Sequence, residues 1–172
     1  MQYEPINLEE LRAKNPSYKP KPPFKHQTEA FQDLTASFKF PINQYKGGLL
    51  VLPTGAGKTY TAVNWICKNV IPKKIKVIWF AQSSYLLNQA SKSFYDNVLE
   101  ASPSRRTLNI RVVSGSPAHS PASSIDITDD ILIITTQTAI INYNAKPEDV
   151  YGNIIETKFI KFLKACAESG LF

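Results

Sequence analysis

Cysteine, histidine and long apolar runs are scarce in this chain, and each scarcity removes a class of protein. There are two cysteines, Cys67 and Cys166, about a hundred residues apart, and two histidines, His26 and His119. Neither cysteine has a second Cys or His at the spacing of a zinc site, and a disulfide scaffold needs a pattern that is absent. Buried free thiols are the expectation. No apolar run reaches the roughly 20 residues that span a bilayer. The opening segment from Met1 to Lys25 is polar, proline-containing and mixed in charge, unlike a secretory signal or a transit peptide, so the expected location is the cytoplasm. No internal repeat is visible.

What is present is ordinary in bulk. The 172 residues suffice for one domain with a real core, and the 43% apolar and 20% charged content matches an average soluble domain. The formal net charge is +6. A basic balance permits a polyanionic partner. However, Lys14, Lys19, Lys21 and Lys25 lie in the leading segment and Lys68, Lys73, Lys74 and Lys76 cluster further on, so a solvated face explains the charge equally well.

Along the chain, residues 1–23 carry Pro5, Pro16, Pro20, Pro22 and Pro23, which favours an extended N-terminal arm. Within it, Ile6 to Lys14 fits one short helix capped by Asn7, with Glu9 and Glu10 in its first turn. From Phe24 to Phe38 apolar residues recur at helical spacing. Gly48 to Leu52 is a short run with no polar face, the pattern of a strand buried on both sides. A helix is expected from Lys58 to Val70, a strand over Lys76–Ala81, a helix over Ser84–Glu100 and a strand over Leu108–Val113. A Ser- and Pro-rich loop follows, then the most apolar strand, Ile131–Thr135, and helices over Thr138–Tyr143 and Thr157–Glu168. Alternating helices and apolar strands predict an α/β fold, a mostly parallel sheet with helices on both faces, with ligands at the carboxyl ends of the strands.

The strongest chemical signal is Leu52-Pro53-Thr54-Gly55-Ala56-Gly57-Lys58-Thr59. Gly55 and Gly57 allow a tight turn that brings backbone N–H groups near phosphate oxygens, and the helix opening at Lys58 turns its positive end to the same place. Lys58 is placed to reach the β- and γ-phosphates of ATP, and the Thr59 hydroxyl to join a Mg2+ shell. Leu52 stands where the strict G-x-x-x-x-G-K-T pattern asks for Gly. That departure moves the loop away from small GTPases and nucleotide kinases, and no guanine-reading motif accompanies it.

Pro-Thr-Gly-Ala-Gly-Lys-Thr resembles motif I of the superfamily 2 helicases and translocases, and other segments fall in the family's order. Phe24-Lys25-His26-Gln27 resembles the Q-motif region, which implies that Gln27 reads the adenine edge. Val77 to Ala90 resembles motif Ia, implying nucleic-acid contact at Gln82 and Ser83, although the family's usual Pro or His with Arg is missing from that turn. Val112-Val113-Ser114-Gly115 matches motif Ib. Ile131 to Thr138 matches the strand whose terminal Thr135 and Thr136, with Gln137, touch the tracked strand. Those hydroxyls bind phosphate or cap the following helix, and the sequence leaves both open.

The resemblance covers Phe24 to Ile140 and lies nearest the restriction-enzyme motor subunits and DEAH-type DNA translocases. It implies a RecA-like P-loop NTPase lobe over residues 24–172. It also implies ATP and Mg2+ as cofactors, DNA in preference to RNA as track, and a nuclease or specificity subunit as partner. The family hydrolyses ATP with an Asp-Glu-x-His or Asp-Glu-x-Asp pair at the end of a buried strand. No such sequence occurs here, and Asp129-Asp130 precedes its strand instead of following it. The expectation is therefore a fragment that stops before motif II and lacks the second lobe with its arginine finger. Such a fragment holds ATP without turning it over; the alternative reading is a binding module that holds ATP as a switch and never hydrolyses it.

Overall fold

The computed structural model describes residues 6–38, 48–100 and 106–168. Its centre is the most apolar strand. β5 (Ile131–Thr135) is buried at every position and pairs in parallel with β2 (Val77–Ala81) on one side and β4 (Ile110–Val113) on the other, in the order β2-β5-β4. A strand of β-branched residues flanked on both edges has no solvent-facing side, so both faces of this sheet must be covered by helices.

Two helical layers provide that cover. On one face, α3 (Lys58–Asn69) and α4 (Ser84–Asn97) bury Val63, Cys67, Leu87, Ala90 and Phe94 against Ile131, Ile133 and Val112. On the other, α5 (Thr136–Asn144) and α6 (Lys158–Glu168) bring Ala139, Phe159, Phe162 and Cys166 onto Leu132, Ile134 and Val113. Both cysteines are buried and free, and burial pushes the Cys166 thiol up to about 11. α2 (Lys25–Ser37) leans on α3 through Phe31, Leu34 and Trp65, with the Trp65 indole donating to Thr35 Oγ1 at 2.9 Å. A parallel sheet with helices on both faces is what the alternating pattern predicts, and it is the partial RecA-like lobe that the resemblance implies.

The leading residues join the same core. β1 (Ile6–Asn7) pairs antiparallel with β3 (Thr107–Leu108), and α1 (Leu8–Lys14) starts at the Asn7 cap, whose side chain accepts from the amides of Glu9 and Glu10. Leu8 is fully buried beside Leu108 and Val98.

Several boundaries differ from the sequence pattern for local reasons. The expected single strand Leu108–Val113 breaks at Asn109. Its N–H donates to Asp130 Oδ2 at 2.9 Å, and its carbonyl accepts from Asp130 N and Ile131 N. The last turn of the expected helix Ser84–Glu100 is a separate 3-10 turn at Val98–Glu100. α5 starts two residues before Thr138 because Thr135 caps it.

One expectation fails. Gly48 to Leu52 is not a buried strand: Leu49 is 88% and Val51 76% exposed, and the segment joins no ladder among the described residues. A strand is made by its neighbours, and an apolar run without a pairing edge has nothing to hold it extended. The segment instead lines a cavity of about 660 Å³ against His26, Ala30, Leu34 and Trp65. Asp129 and Asp130 lie at the amino edge of the sheet, as their order requires. Asp129 is fully buried and grips Arg111 through two bonds of 2.6 and 3.0 Å, and the Asp130 carbonyl accepts from Val77 N.

Candidate phosphate loop and strand edge

The loop Pro53–Thr59 owes its shape to its glycines. Gly55 and Gly57 adopt φ of +80° and +82°, a region that costs any residue with a Cβ. Ala56 N donates to Pro53 O at 3.1 Å, which closes the turn, and Gly57 O accepts from Thr61 N and Thr61 Oγ1. Gly57 therefore stands at the N-cap of α3, where no side chain caps the first-turn amides. Those amides and the positive end of a 12-residue helix face the loop.

Lys58 is exposed and bends back over the loop, donating from Nζ to Leu52 O at 2.9 Å and Pro53 O at 3.2 Å. Backbone oxygens hold the ammonium in the concavity of the turn. Thr59, half-buried, follows at the start of α3. A Cβ on Gly55 would meet nothing within 4 Å, so the cradle is open to solvent at that point. Pro53, Thr54, Gly55, Ala56, Gly57, Lys58 and Thr59 together supply backbone donors, a cation and a hydroxyl, and this donor set fits a magnesium triphosphate.

Gln27 is brought to this loop from α2 and is 4% exposed. Its Oε1 accepts from Phe24 N at 3.0 Å and its Nε2 donates to Ala56 O at 3.0 Å. The amide thus braces the loop, and a Cβ on Gly57 would stand 2.7 Å from Nε2. The sequence pattern missed His26. Its Nε2 lies 3.1 Å from the same Ala56 oxygen and therefore carries the proton, while its ring stacks on Phe24 at 5.8 Å. Adjacency to Gln27 was its only signal.

The strand-end residues collect along one edge. Ala81 of β2 pairs with Thr135 of β5, and Val113 of β4 with Ile134, so the three strands end in register. Gln82 and Ser83 follow β2, both exposed, and Ser83 Oγ accepts from Leu86 N at 3.4 Å as the cap of α4. Thr135 is 7% exposed and spends its hydroxyl on Thr138, donating to Oγ1 at 2.7 Å and accepting from N at 3.3 Å. Thr136 and Gln137 are exposed, and Thr136 Oγ1 reaches back to Ala81 O at 3.4 Å. The edge thus offers neutral donors at the start of two helices, suited to phosphate without regard to base.

A second set lay outside the sequence pattern. His119, in the loop after β4, places Nδ1 2.7 Å from Ser114 Oγ and Nε2 2.9 Å from Asn88 Oδ1. Burial lowers its pKa from the usual 6.5. A single His in a Ser-rich loop carries no spacing that would reveal contacts five and 31 residues away.

No helix among the described residues is long and apolar enough to cross a membrane, and no metal-holding cluster of His, Cys, Asp and Glu occurs among them. No curated protein and no solved structure matches the chain. The family model for the type III restriction enzyme, res subunit, matches residues 20–157, a span that takes in Gln27, the phosphate loop and all three strand ends. The chain belongs to that family and carries its helicase-type, ATP-dependent motor lobe.

Proposed function

We propose that these 172 residues are the nucleotide-holding part of a DNA helicase or translocase motor, gripping ATP with Mg2+ at one end of α3 and a DNA strand along the carboxyl edge of the sheet. The observation that carries this is Lys58, whose ammonium is drawn onto the carbonyls of Leu52 and Pro53 at the mouth of a two-glycine turn. The loop amides and Lys58 hold the phosphates, Thr59 presents its hydroxyl to the metal, and Gln27 with His26 keeps the Ala56 peptide in place. Bound ATP supplies the free energy of the motor. Gln82, Ser83, Thr136 and Gln137 contact the DNA backbone, and Thr135 supports them from below as the cap of α5.

Turnover needs a carboxylate pair at the loop end of a strand. Among the described residues Asp129 and Asp130 sit at the opposite edge, engaged with Arg111, Asn109 and Val77. The chain therefore binds nucleotide without hydrolysing it. Hydrolysis, a second lobe and a nuclease or specificity partner belong to the complete motor. Titration with a fluorescent ATP analogue tests the grip. Lys58→Ala is expected to weaken binding at least about tenfold, the scale of a lost charge-assisted contact. Unchanged binding would refute the loop assignment. Phosphate release that disappears in Lys58→Ala would refute the absence of turnover.

A further inference from the structure

The ladders tie β2 and β4 each to β5, but not to one another. A tie between α4, which follows β2, and the residue after β4 comes from His119. Asn88 Oδ1 can only accept, so His119 Nε2 carries the proton across the 2.9 Å contact. Nδ1 then holds a lone pair and accepts the Ser114 hydroxyl at 2.7 Å, while Ser114 Oγ accepts from Ser116 N at 3.0 Å. Asn88 lies on α4, just past the turn Gln82–Ser83, and Ser114 is the first residue after β4. The loop bearing His119 is itself anchored, because Ser120 N donates to Val112 O at 2.9 Å.

Both His119 ring nitrogens and the Ser114 hydroxyl have partners, and such a directional polar network fixes one geometry where an apolar contact tolerates several. Ser114 and His119 are buried, whereas Gln82, Ser83 and Gly115 above them are exposed. Thr136 Oγ1 on Ala81 O joins the β5 end to the β2 end. With His119 in place, the residue after β4 is joined to the helix that follows β2.

We propose that His119 is a positioning residue for the nucleic-acid grip: by lashing the turn after β4 to α4 it fixes where the Gln82–Ser83 turn, at the start of α4, sits on the strand edge. This rests on the strand edge being the DNA track. A neutral, sequence-blind grip has no strong charge pairs to pull its donors into line, so their spacing must be built in beforehand.

The test is fluorescence anisotropy of a labelled oligothymidine on the 172-residue chain, with the fluorescent ATP analogue as control. Asn88 is exposed, so Asn88→Ala cuts the tie without touching the core. Asn88→Ala and His119→Ala are each expected to weaken oligothymidine binding about fivefold, the scale of one lost hydrogen bond. The double variant should be no weaker than the weaker single, because both remove one tie. His119→Gln keeps a donor for Asn88 and should recover most of the affinity. ATP-analogue binding should stay unchanged throughout. Single variants that bind like the wild type, or losses that add in the double, would overturn the positioning role while leaving the track intact. A wild-type chain that fails to bind oligothymidine would instead overturn the track itself, and the role of His119 with it.

Discussion

Gly57 meets two demands at once. Its φ of +82° is strained for any other residue, and its α-carbon faces Gln27 Nε2, leaving 2.7 Å for a Cβ. Gly57→Ala should therefore cost about 1–3 kcal/mol of stability as well as nucleotide affinity. Adding Gln27→Ala removes the clash but not the backbone strain, so the double variant should recover part of the stability in thermal unfolding and none of the affinity. His119 makes a separate prediction. Burial lowers its pKa in the fold, so the unfolded chain takes up the proton first. Its stabilising contribution is complete above the ordinary value of 6.5 and is lost as pH falls below it. Urea midpoints for the wild type should drop as pH is lowered through this range, and His119→Gln should flatten that drop. Loss beginning only below 3.8 belongs instead to Asp126, held low chiefly by the Thr128 backbone amide, and to Asp149, held low chiefly by the Asn153 side chain. At this scale the sequence displayed the loop, because glycine, lysine and threonine at fixed offsets answer a local demand of the backbone. It did not display that Gln27 meets Ala56 or that His119 meets Asn88, because these partners lie 29 and 31 residues away.

Among the elements, β5 and the segment Gly48–Leu52 look alike as sequence and differ as structure. Both are short apolar runs. Ile131–Thr135 has a parallel partner on each side and two helical layers over it, while Leu49 and Val51 are exposed and join no ladder among the described residues. Amide exchange should separate them by orders of magnitude, slow across β5 and fast across residues 48–52, since protection follows the ladder and not the side chains. Protection at Leu50 equal to that at Ile133 would show that the segment is paired after all. Helices and central strands were legible because their periodicity is a property of each segment alone, whereas pairing is decided by what lies next to it. The same holds for Asp129. Its acidic neighbourhood resembles catalytic chemistry, yet its bonds to Arg111 and to Asp126 N make it structural. Asp129→Asn should lower stability by about 3 kcal/mol or more by leaving the buried Arg111 charge uncompensated, and should not change ATP-analogue affinity in the fraction that remains folded.

For the whole molecule, the net charge of +6 and the neutral strand edge pull in different directions. Phosphate contacts made by Lys or Arg release counterions and give binding a steep dependence on salt, about 0.7 units of slope per contact for a single strand. Gln82, Ser83, Thr136 and Gln137 carry no charge, so a strand held there should bind with a slope close to zero. The competing surface is a cavity of about 540 Å³ between the arm and α4, with Lys19, Lys21 and Lys92 beside Tyr18 and Tyr60. Lys92 is already paired with Asp96 at 2.9 Å, which weakens that face as a phosphate site. A salt titration of oligothymidine binding tells the two apart when it is repeated on Thr136→Ala/Gln137→Ala and on Lys19→Ala/Lys21→Ala. Binding at the edge predicts a shallow slope and a loss of affinity in the first variant only. A slope of about −1.5 or steeper, the scale of two to three lysine contacts, that flattens in the lysine variant would move the strand to the arm and leave the strand ends as caps for their helices.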